Sequence, residues 1–367
     1  VFKHANMAGT TPWGGVLAVA GDDHVAKSST AAHQSDHIFK ACGTPVFFPS
    51  NVQEILDLGL HAIAMSRFSG VWSGMKTIQE IVESSSTAVI DPHRVNIVIP
   101  EFEMPAGGLH IRWPDTALEQ EARLFDYKWY AALAYIRANR LNYNVIEGPN
   151  DRFGIIASGK AYNDTRQALL DLGLDDATCQ RIGIRLHKVG VVWPLEAQLT
   201  REFATGLQEI LVVEEKRQVI EYQLKEELYN WRPDVRPTVL GKFNEVDGED
   251  RYGAGGEWSM PNPSASTLLR ANADLSPAII ARAIAEHVTV TWTDSALTFI
   301  CDDPPTLELL QSASQERYLT EIVEAHGFQT LITCPGFQIP APEKDPSDPS
   351  PSSDLPNSEP RKRTANA

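Results

Sequence analysis

Between residues 151 and 245 the chain alternates short apolar runs with stretches of helical periodicity. The apolar runs predict four strands, over residues 153–157, 185–192, 209–213 and 238–240. The intervening stretches predict three helices, over residues 163–172, 196–205 and 219–231, with Asn163 capping the first and Gly173 and Gly206 ending the first two. Short apolar strands that alternate with helices predict an α/β domain with a parallel sheet covered on both faces.

The first 150 residues carry similar but more widely spaced signals. Apolar runs at residues 16–20 and 45–48 predict strands. Ser50 and Gln53 have the spacing of a capping box, and they open a predicted helix whose shared apolar face consists of Ile55, Leu58, Ala62 and Ile63. Thr116 and Glu119 repeat the capping-box spacing at the start of a long helix. Its predicted apolar face consists of Leu118, Ala122, Phe125, Trp129, Leu133 and Ile136.

The regular pattern weakens beyond residue 245. Residues 247–263 are rich in Gly, Pro and charge and predict a loop, while Ser276 and Pro277 open a predicted helix that runs to His287. Residues 307–325 predict one more helix. From Pro335 to Pro360 there are 8 of the 24 prolines, mixed with Ser and Asp, and such a segment cannot bury enough apolar area to fold. The predicted division is therefore 1–150, 151–245, a linker and helical extension over 246–330, and a disordered tail over 331–367.

Composition excludes several classes of protein. The chain has 367 residues and a net charge of −16, which argues against a nucleic-acid or membrane-surface partner. No apolar run is long enough to cross a bilayer. The four cysteines, Cys42, Cys179, Cys301 and Cys334, are scattered without a Cys-x-x-Cys pair, so neither an iron–sulfur cluster nor a cysteine zinc site is predicted. Reduced thiols indicate a cytoplasmic protein.

The densest group of chemically active side chains follows the first predicted strand. Gly21, Asp22, Asp23 and His24 are followed by Lys27, Ser28 and Ser29, and then by the polar residues 34–37. Ligands of α/β sheets bind outside the carboxyl ends of the strands, so this position predicts a site. The alternative is a solvated polar loop in which the two aspartates act as turn and cap residues. Residue types alone do not separate the two interpretations.

Three sequence segments in the second region, at residues 156–162, 186–195 and 210–215, give the chain a family resemblance. Together they resemble the transketolase-C-terminal-like domain of the thiamine-diphosphate-dependent 2-oxoacid:ferredoxin oxidoreductases. The first region, from Lys3-His4-Ala5-Asn6 through the polar group at 21–37, is similar to part of the pyrimidine-binding domain of the same enzymes. Within them, the chain most resembles the indolepyruvate ferredoxin oxidoreductase family. The implied fold is a partial pyrimidine-binding domain followed by a three-layer α/β domain with a parallel sheet.

The resemblance implies an oxidative decarboxylation. In that family an aryl 2-oxoacid such as indolepyruvate adds to thiamine diphosphate, carbon dioxide leaves, electrons pass through iron–sulfur clusters to ferredoxin, and coenzyme A collects the acyl group. The implied partners are therefore a 2-oxoacid, coenzyme A and ferredoxin, together with a complementing chain or a second copy.

The resemblance also assigns roles to individual residues. It implies that His24, Lys27 and His4 act in catalysis, where cations neutralise developing charge. It implies cofactor contacts for the other polar residues near them, with His4 and Asn6 in a loop that forms another wall of the pocket; these contact residues are Gly21, Asp22, Asp23, Ser28, Ser29 and Asn6. No metal ligand is predicted.

Parts of the family pattern are missing from this sequence. A Gly-Asp-Gly motif for magnesium and diphosphate is not found, and Val246-Asp247-Gly248 is interpreted as a turn. The ferredoxin-like cysteines are missing too, and the chain begins at Val1 rather than Met. The sequence therefore predicts a fragment of such an enzyme that is inactive alone. The alternatives are a β-type subunit of a 2-oxoacid dehydrogenase or transketolase relative, and a non-catalytic scaffold built on the same α/β domains.

Overall fold

A computed structural model of the chain describes residues 1–243, 267–272, 274–285, 289–293, 296–300 and 329–333. The strands are β1 Leu17–Asp22, β2 Val46–Phe47, β3 Ser73–Ile78, β4 Asn142–Ile146, β5 Phe153–Ala157, β6 Ile184–Val189, β7 Val191–Trp193, β8 Glu209–Val213, β9 Thr238–Leu240, β10 Thr289–Thr293, β11 Ala296–Ile300 and β12 Gln329–Thr333. The α-helices are α1 Phe2–Ala8, α2 Asp36–Ala41, α3 Val52–Ser69, α4 Gln79–Val82, α5 Ala117–Arg123, α6 Trp129–Ala138, α7 Gly159–Asp171, α8 Asp176–Ile182, α9 Ala197–Ala204, α10 Ile220–Leu228 and α11 Pro277–Ala285.

The strands form three sheets. The first has the order β1-β3-β2-β7, with β3 parallel to both β1 and β2, and with β7 antiparallel to β2. The second has the order β4-β6-β5-β8-β9, parallel throughout except for β4. A small third sheet joins β10, β11 and β12. The predicted α/β class with parallel sheets is confirmed.

The second sheet has a topological switch point between β5 and β8. After β5 the chain forms β6 on one side of it, and it then returns to form β8 and β9 on the other side. Helices that follow neighbouring strands at such a point lie on opposite faces of the sheet. The carboxyl ends of strands at such a point are where α/β sheets bind their ligands.

Both faces of the second sheet are buried. Ile155 of β5 packs with residues of α7 and α11, including Leu169 and Ile280. Its neighbour Ile156 points the other way and packs with Phe203 and Leu224 from α9 and α10. Alternate strand residues thus meet opposite helical layers, which is why β5 and β8 are nearly continuous apolar runs.

The predicted strand over residues 185–192 is wrong as a single element. It divides at Gly190 into β6, which lies in the second sheet, and β7, which adds to the first sheet beside β2. Strand β4 lies before residue 150 and yet pairs with β6. The chain thus crosses between the two sheets on either side of the predicted boundary at residue 150. The domain division itself stays a prediction.

Two predicted helix starts are corrected. Helix α3 is capped by Asn51, whose side chain accepts from the backbone N–H of Glu54, while the Glu54 carboxylate accepts from the N–H and hydroxyl of Ser50. Helix α7 starts at Gly159 after the N-cap Ser158, so Asn163 lies inside the helix. Its amide is used instead to donate to the Ser50 carbonyl at 2.5 Å.

A turn of π-helix displaces the apolar stripe of the long helix. The predicted capping box of Thr116 and Glu119 is confirmed, but the helix winds as a π-turn at Leu124–Lys128. A π-turn adds a residue and so rotates the preceding part of the helix. As a result Leu118, Ala122 and Phe125, predicted to be buried, are exposed. The residues that are buried are Leu124, Lys128, Ala131, Ala132, Tyr135 and Ile136.

Helix α11 begins as predicted, since the Ser276 hydroxyl accepts from the backbone N–H of Ile279 at 3.4 Å. The predicted loop over 247–263, the predicted helix over 307–325 and nearly all of the predicted tail lie outside the described residues.

Replacing Gly190 by alanine should destabilise the fold by about 1–3 kcal/mol, because overpacking a rigid crossing forces the backbone to move. An added Cβ would lie 2.5 Å from the Leu141 carbonyl oxygen. Urea unfolding of both proteins measures the difference. Gly59→Ala is the matched control, since its Cβ would meet only Met75 Cε at 3.9 Å and alanine favours the interior of α3. An unchanged midpoint for Gly190→Ala would contradict the prediction.

Candidate functional site

The carboxyl ends of three parallel strands, drawn from both large sheets, converge on one group of charged side chains. His24 follows β1, Lys160 follows β5, and Glu215 follows β8. His24 Nδ1 lies 2.5 Å from Glu215 Oε2, and the Lys160 ammonium donates to Glu215 Oε1 at 3.2 Å. The group therefore lies at the switch point between β5 and β8, where α/β sheets bind their ligands.

Asp23 organises the loop that carries His24. Its carboxylate accepts backbone N–H bonds from Val25, Lys27, Ser28 and Ser29 at 2.7–3.3 Å, and both serine hydroxyls at 3.2 Å. These donors, that of Ser28 foremost, hold the pKa of Asp23 well below its usual range. Ser28 and Ser29 thus serve the internal geometry of the loop, as the polar-loop interpretation expects.

Two further contacts fix the loop in place. Asp22, at the end of β1, accepts from the backbone N–H of Ser35 at 2.8 Å and from its hydroxyl. The side chain of Gln34 donates to the Arg217 carbonyl at 2.8 Å and accepts from the Arg217 N–H at 2.9 Å. The loop between β1 and α2 is therefore docked on the loop between β8 and α10.

His24 is buried, with a side-chain exposure of 2%. Because its Nδ1 faces a carboxylate, Nδ1 is assigned as protonated and donates to Glu215. Its other ring nitrogen, Nε2, is also buried and has no hydrogen-bond partner among the described residues. The ring meets the edge of Phe48 with centroids 6.5 Å apart.

Glu215 is the charged centre of the group. Burial would raise the pKa of its carboxyl, but the hydrogen bond and charge of His24, together with the charge of Lys160, lower it to about 2. Lys160 is held in turn by Asp164 at 2.5 Å and by the Leu275 carbonyl at 2.8 Å. Glu215 is therefore ionised at neutral pH and shared by two donors.

Phe48 separates this group from a second buried ion pair. The Lys76 ammonium donates to Asp36 at 2.7 Å and lies 4.1 Å from the centroid of the Phe48 ring. Burial raises the pKa of Asp36, but the charge and hydrogen bond of Lys76 leave it below its usual range. Gly159 makes room for the ring, because a Cβ there would lie 2.3 Å from Phe48.

The remaining sequence-predicted residues lie apart from Glu215. Lys27 is half exposed and donates to Glu80 at 2.5 Å, with Asp274 at 3.3 Å. Gly21 is exposed at the edge of β1. The predicted loop around His4 and Asn6 is wrong, because both belong to helix α1. His4 is exposed there.

Asn6 ties helix α1 to two other segments of the first region by hydrogen bonds. It donates to the Cys42 carbonyl at 2.8 Å and accepts from the Trp72 N–H at 2.8 Å. The catalytic and cofactor roles assigned to the loop and α1 residues stay predictions.

Sequence reasoning missed Glu215, Lys160 and Lys76, and it included Asp36 in the polar group without giving it a role. The signal for Glu215 was available, since it follows an apolar strand just as the polar loop after β1 does. For Lys76 there was none, because a lysine inside β3 does not reveal its partner.

The described residues contain no group of three or more His, Cys, Asp or Glu side chains placed to hold a metal ion. Among the helices so described, none is long and apolar enough to span a bilayer.

Glu214 and Glu215 should give opposite pH dependence to stability. The folded pKa of Glu215 is about 2, below its ordinary 4.5, so its stabilisation is present above pH 4.5 and is lost as pH falls toward 2. Burial of Glu214, which outweighs Lys242 and the α10 backbone donors, raises its pKa to about 6. Its contribution is therefore present below pH 4.5 and is lost as pH rises through 6.

Urea unfolding of Glu215→Gln and Glu214→Gln between pH 3 and 7 measures both effects. We expect Glu215→Gln to lower the free energy of unfolding most at pH 7. This loss relative to the wild type should shrink in acid, by at most about 3 kcal/mol. For Glu214→Gln the loss of unfolding free energy should shrink as the pH rises, by at most about 2 kcal/mol. Parallel pH profiles for the two variants would contradict the assignment.

Part of the chain is similar to known proteins of one family. Residues 142–317, which begin at the first residue of β4, match the indolepyruvate ferredoxin oxidoreductase middle domain. The chain is 28% identical to indolepyruvate oxidoreductase subunit IorA of Pyrococcus abyssi over 232 residues, which are 58% of this chain and 32% of that subunit. It is 30% identical to subunit IorA of Methanothermobacter marburgensis over 219 residues, which are 57% of this chain and 32% of that subunit.

The solved 2-oxoglutarate:ferredoxin oxidoreductase from Magnetococcus marinus, with 2-oxoglutarate, coenzyme A and succinyl-CoA bound, matches with a TM-score of 0.45 and 11% identity. That match covers 78% of this chain and 50% of that one. The chain spans about a third of the length of the curated relatives it matches. The sequence matches therefore support a partial chain of the indolepyruvate ferredoxin oxidoreductase family, with the middle domain of that family matched over residues 142–317.

Proposed function

We propose that this chain forms the part of an indolepyruvate-type oxidoreductase that faces the 2-oxoacid, and that it does not turn over alone. One observation carries the proposal: His24 is held by Glu215 where the strands of two sheets end, with a buried Nε2 that lacks a partner among the described residues. A buried, oriented imidazole with one unpartnered ring nitrogen is suited to exchange a proton or a hydrogen bond with a substrate. The similarity to indolepyruvate oxidoreductase subunits suggests the substrate class.

The proposal extends to the partners. Relatives are named as oxidoreductase subunits, so we propose further chains, ferredoxin and coenzyme A as partners, in the cytoplasm. Within the chain, Lys27 holds the loop against Glu80 and Asp274 and adds positive charge at its rim. His24 provides the buried polar atom. The loop after β1 and the loop after β8 that carries Glu215 would together orient the substrate and exclude water.

The described residues do not fit the family's thiamine diphosphate and iron–sulfur groups. A magnesium diphosphate needs several oxygen ligands, and a cluster needs neighbouring thiolates. The described part of the chain has no group of three metal-ligating side chains, and its two cysteines, Cys42 and Cys179, are both unpaired thiols. We therefore assign no step through either group to these residues.

We predict that the isolated chain does not bind thiamine diphosphate tightly. The physical reason is that the described residues contain no group of three His, Cys, Asp or Glu side chains placed to hold magnesium. Isothermal calorimetry with thiamine diphosphate, with and without Mg²⁺, measures this directly, and Mg²⁺ alone serves as the control titration. Micromolar, magnesium-dependent binding would refute the prediction.

Replacing His24 or Lys27 by alanine should lower 2-oxoacid turnover of the complete oxidoreductase by about a hundredfold, because His24 supplies a group for proton transfer and Lys27 a positive charge at the rim of the site. Lys27 is half exposed, so Lys27→Ala should change the free energy of unfolding by less than about 0.5 kcal/mol. Turnover is measured as indolepyruvate-dependent reduction of ferredoxin in the presence of coenzyme A.

Lys3→Ala is the matched control, since Lys3 is half exposed and ion-paired with Glu121 at 3.3 Å on α5. It should leave turnover unchanged. Near-normal turnover in both the His24 and Lys27 variants would leave the loop with a structural role only and favour a scaffold.

A further inference from the structure

One extended stretch of the first region, residues 96–104, has backbone partners on one side only, and we call it the Ile97 segment. The chain runs through these residues without a turn, a bend or a helix. Among the described residues, only Val98 of this segment makes backbone hydrogen bonds: its N–H donates to the Asn139 side chain at 2.8 Å, and its carbonyl accepts from the same carboxamide at 2.8 Å. The Asn139 side chain thus takes the place of a neighbouring strand on that side.

The opposite side of the Ile97 segment is an open strand edge. In an extended chain the N–H and carbonyl groups of successive residues point to opposite sides, so those of Ile97 and Ile99 point away from Asn139. These groups have no hydrogen bond to any residue that the structure describes. Both side chains are apolar and β-branched, and that of Ile99 is 58% exposed. Unpaired backbone groups beside such side chains are a template for pairing with another strand.

The charges around the Ile97 segment suit pairing with an antiparallel copy of itself. His93 and Arg94 precede the segment, Glu101 and Glu103 lie in its second half, and all four are exposed. In an antiparallel pair, the basic end of each copy lies beside the acidic end of the other, which is favourable. The charges also indicate the register, because the basic and acidic residues lie at similar distances on either side of Val98.

A second extended stretch, residues 84–91, lacks this self-complementarity. Its backbone is held in the same way, by the carboxamide of Gln53 at 2.7 and 3.3 Å, and Ile90 within it is 89% exposed. Both of its ends are acidic, however, since they carry Glu83 and Asp91. An antiparallel copy would place these like charges side by side, which is unfavourable. The charge pattern, rather than apolar exposure, therefore distinguishes the Ile97 segment.

We propose that the Ile97 segment is a dimerisation strand, which pairs in antiparallel register with the same segment of a second copy of this chain. Val98 of the two copies would meet on the twofold axis, and Ile97 of each copy would lie opposite Ile99 of the other. Because the outward backbone groups belong to Ile97 and Ile99, each of these pairs exchanges two N–H to carbonyl hydrogen bonds. The same surface is then used by both copies, as an isologous interface requires.

A strand of a different protein is the competing occupant, because main-chain groups at an open edge pair with any extended peptide. The two occupants differ in what the chain does by itself. A second copy makes the purified chain self-associate through the Ile97 segment, whereas a different protein leaves it monomeric.

Sedimentation equilibrium of the full chain over a wide concentration range tests the inference. The wild type should reach about twice the 40.5 kDa of a single chain. Ile97→Pro removes an N–H that has no acceptor in the described part of the monomer, and proline suits an extended backbone at a strand edge. Two hydrogen bonds are lost per dimer, so dimerisation should weaken at least about tenfold. Ile90→Pro is the matched control and should leave dimerisation unchanged.

Charge exchange tests the antiparallel arrangement without proline. Glu103→Lys and His93→Glu should each dimerise about fivefold more weakly than the wild type, as expected for altered cross-strand charge pairs. An equimolar mixture of the two variants should recover the wild-type affinity, because each introduced charge then lies beside its opposite.

A wild type that stays monomeric at every concentration would overturn the inference and assign the open edge to a different protein. Wild-type dimerisation of Ile97→Pro, equal weakening by Ile90→Pro, or a mixture of the charge variants that associates no more tightly than either alone would also overturn it. Circular dichroism shows whether each variant is folded. If Ile97→Pro does not fold, the charge variants decide the outcome.

Discussion

The buried carboxylate of Glu215 joins the loop after β1 to the two parallel strands at the centre of the second sheet. It accepts from His24, which lies 191 positions earlier in the chain, and from Lys160. Burying a carboxylate is costly, and the cost is offset only while both donors remain in place. Removing one partner of such a group typically costs about 3–5 kcal/mol, because it leaves an uncompensated charge. The loop after β1, the start of α7 and the loop after β8 are therefore fixed relative to one another.

Packing around Phe48 makes this electrostatic arrangement possible. The ring is contacted by the Lys76 ammonium and the His24 imidazole, and it lies against Gly159 at the start of α7. A side chain at position 159 would displace the ring, and with it the wall between the two buried ion pairs. Apolar packing keeps water out of the site, and the exclusion of water strengthens each charged contact.

The sequence predicted much of the fold because most of the second sheet is buried on both faces. Continuous apolar runs such as β5 and β8 follow directly from that burial, and the periodic helices between them follow from amphipathicity. Local capping was harder to predict, since Asn51 and Ser158 compete with equally good candidates one or a few residues away. The π-turn at Leu124–Lys128 could not be predicted, because a one-residue shift leaves the composition of the helix unchanged.

The candidate site shows the same limit more sharply. The loop after β1 attracted attention because its polar residues are adjacent in sequence, yet Asp23, Ser28 and Ser29 mostly bind one another. The role of Glu215 and Lys160 could not be predicted, because they meet His24 only in the folded chain. That contact depends on the crossing at Gly190, where β6 of the second sheet passes into β7 of the first. Because one residue separates the two strands, the sheets cannot slide independently. The carboxyl ends of β1, β5 and β8 are thereby held together before any ligand arrives.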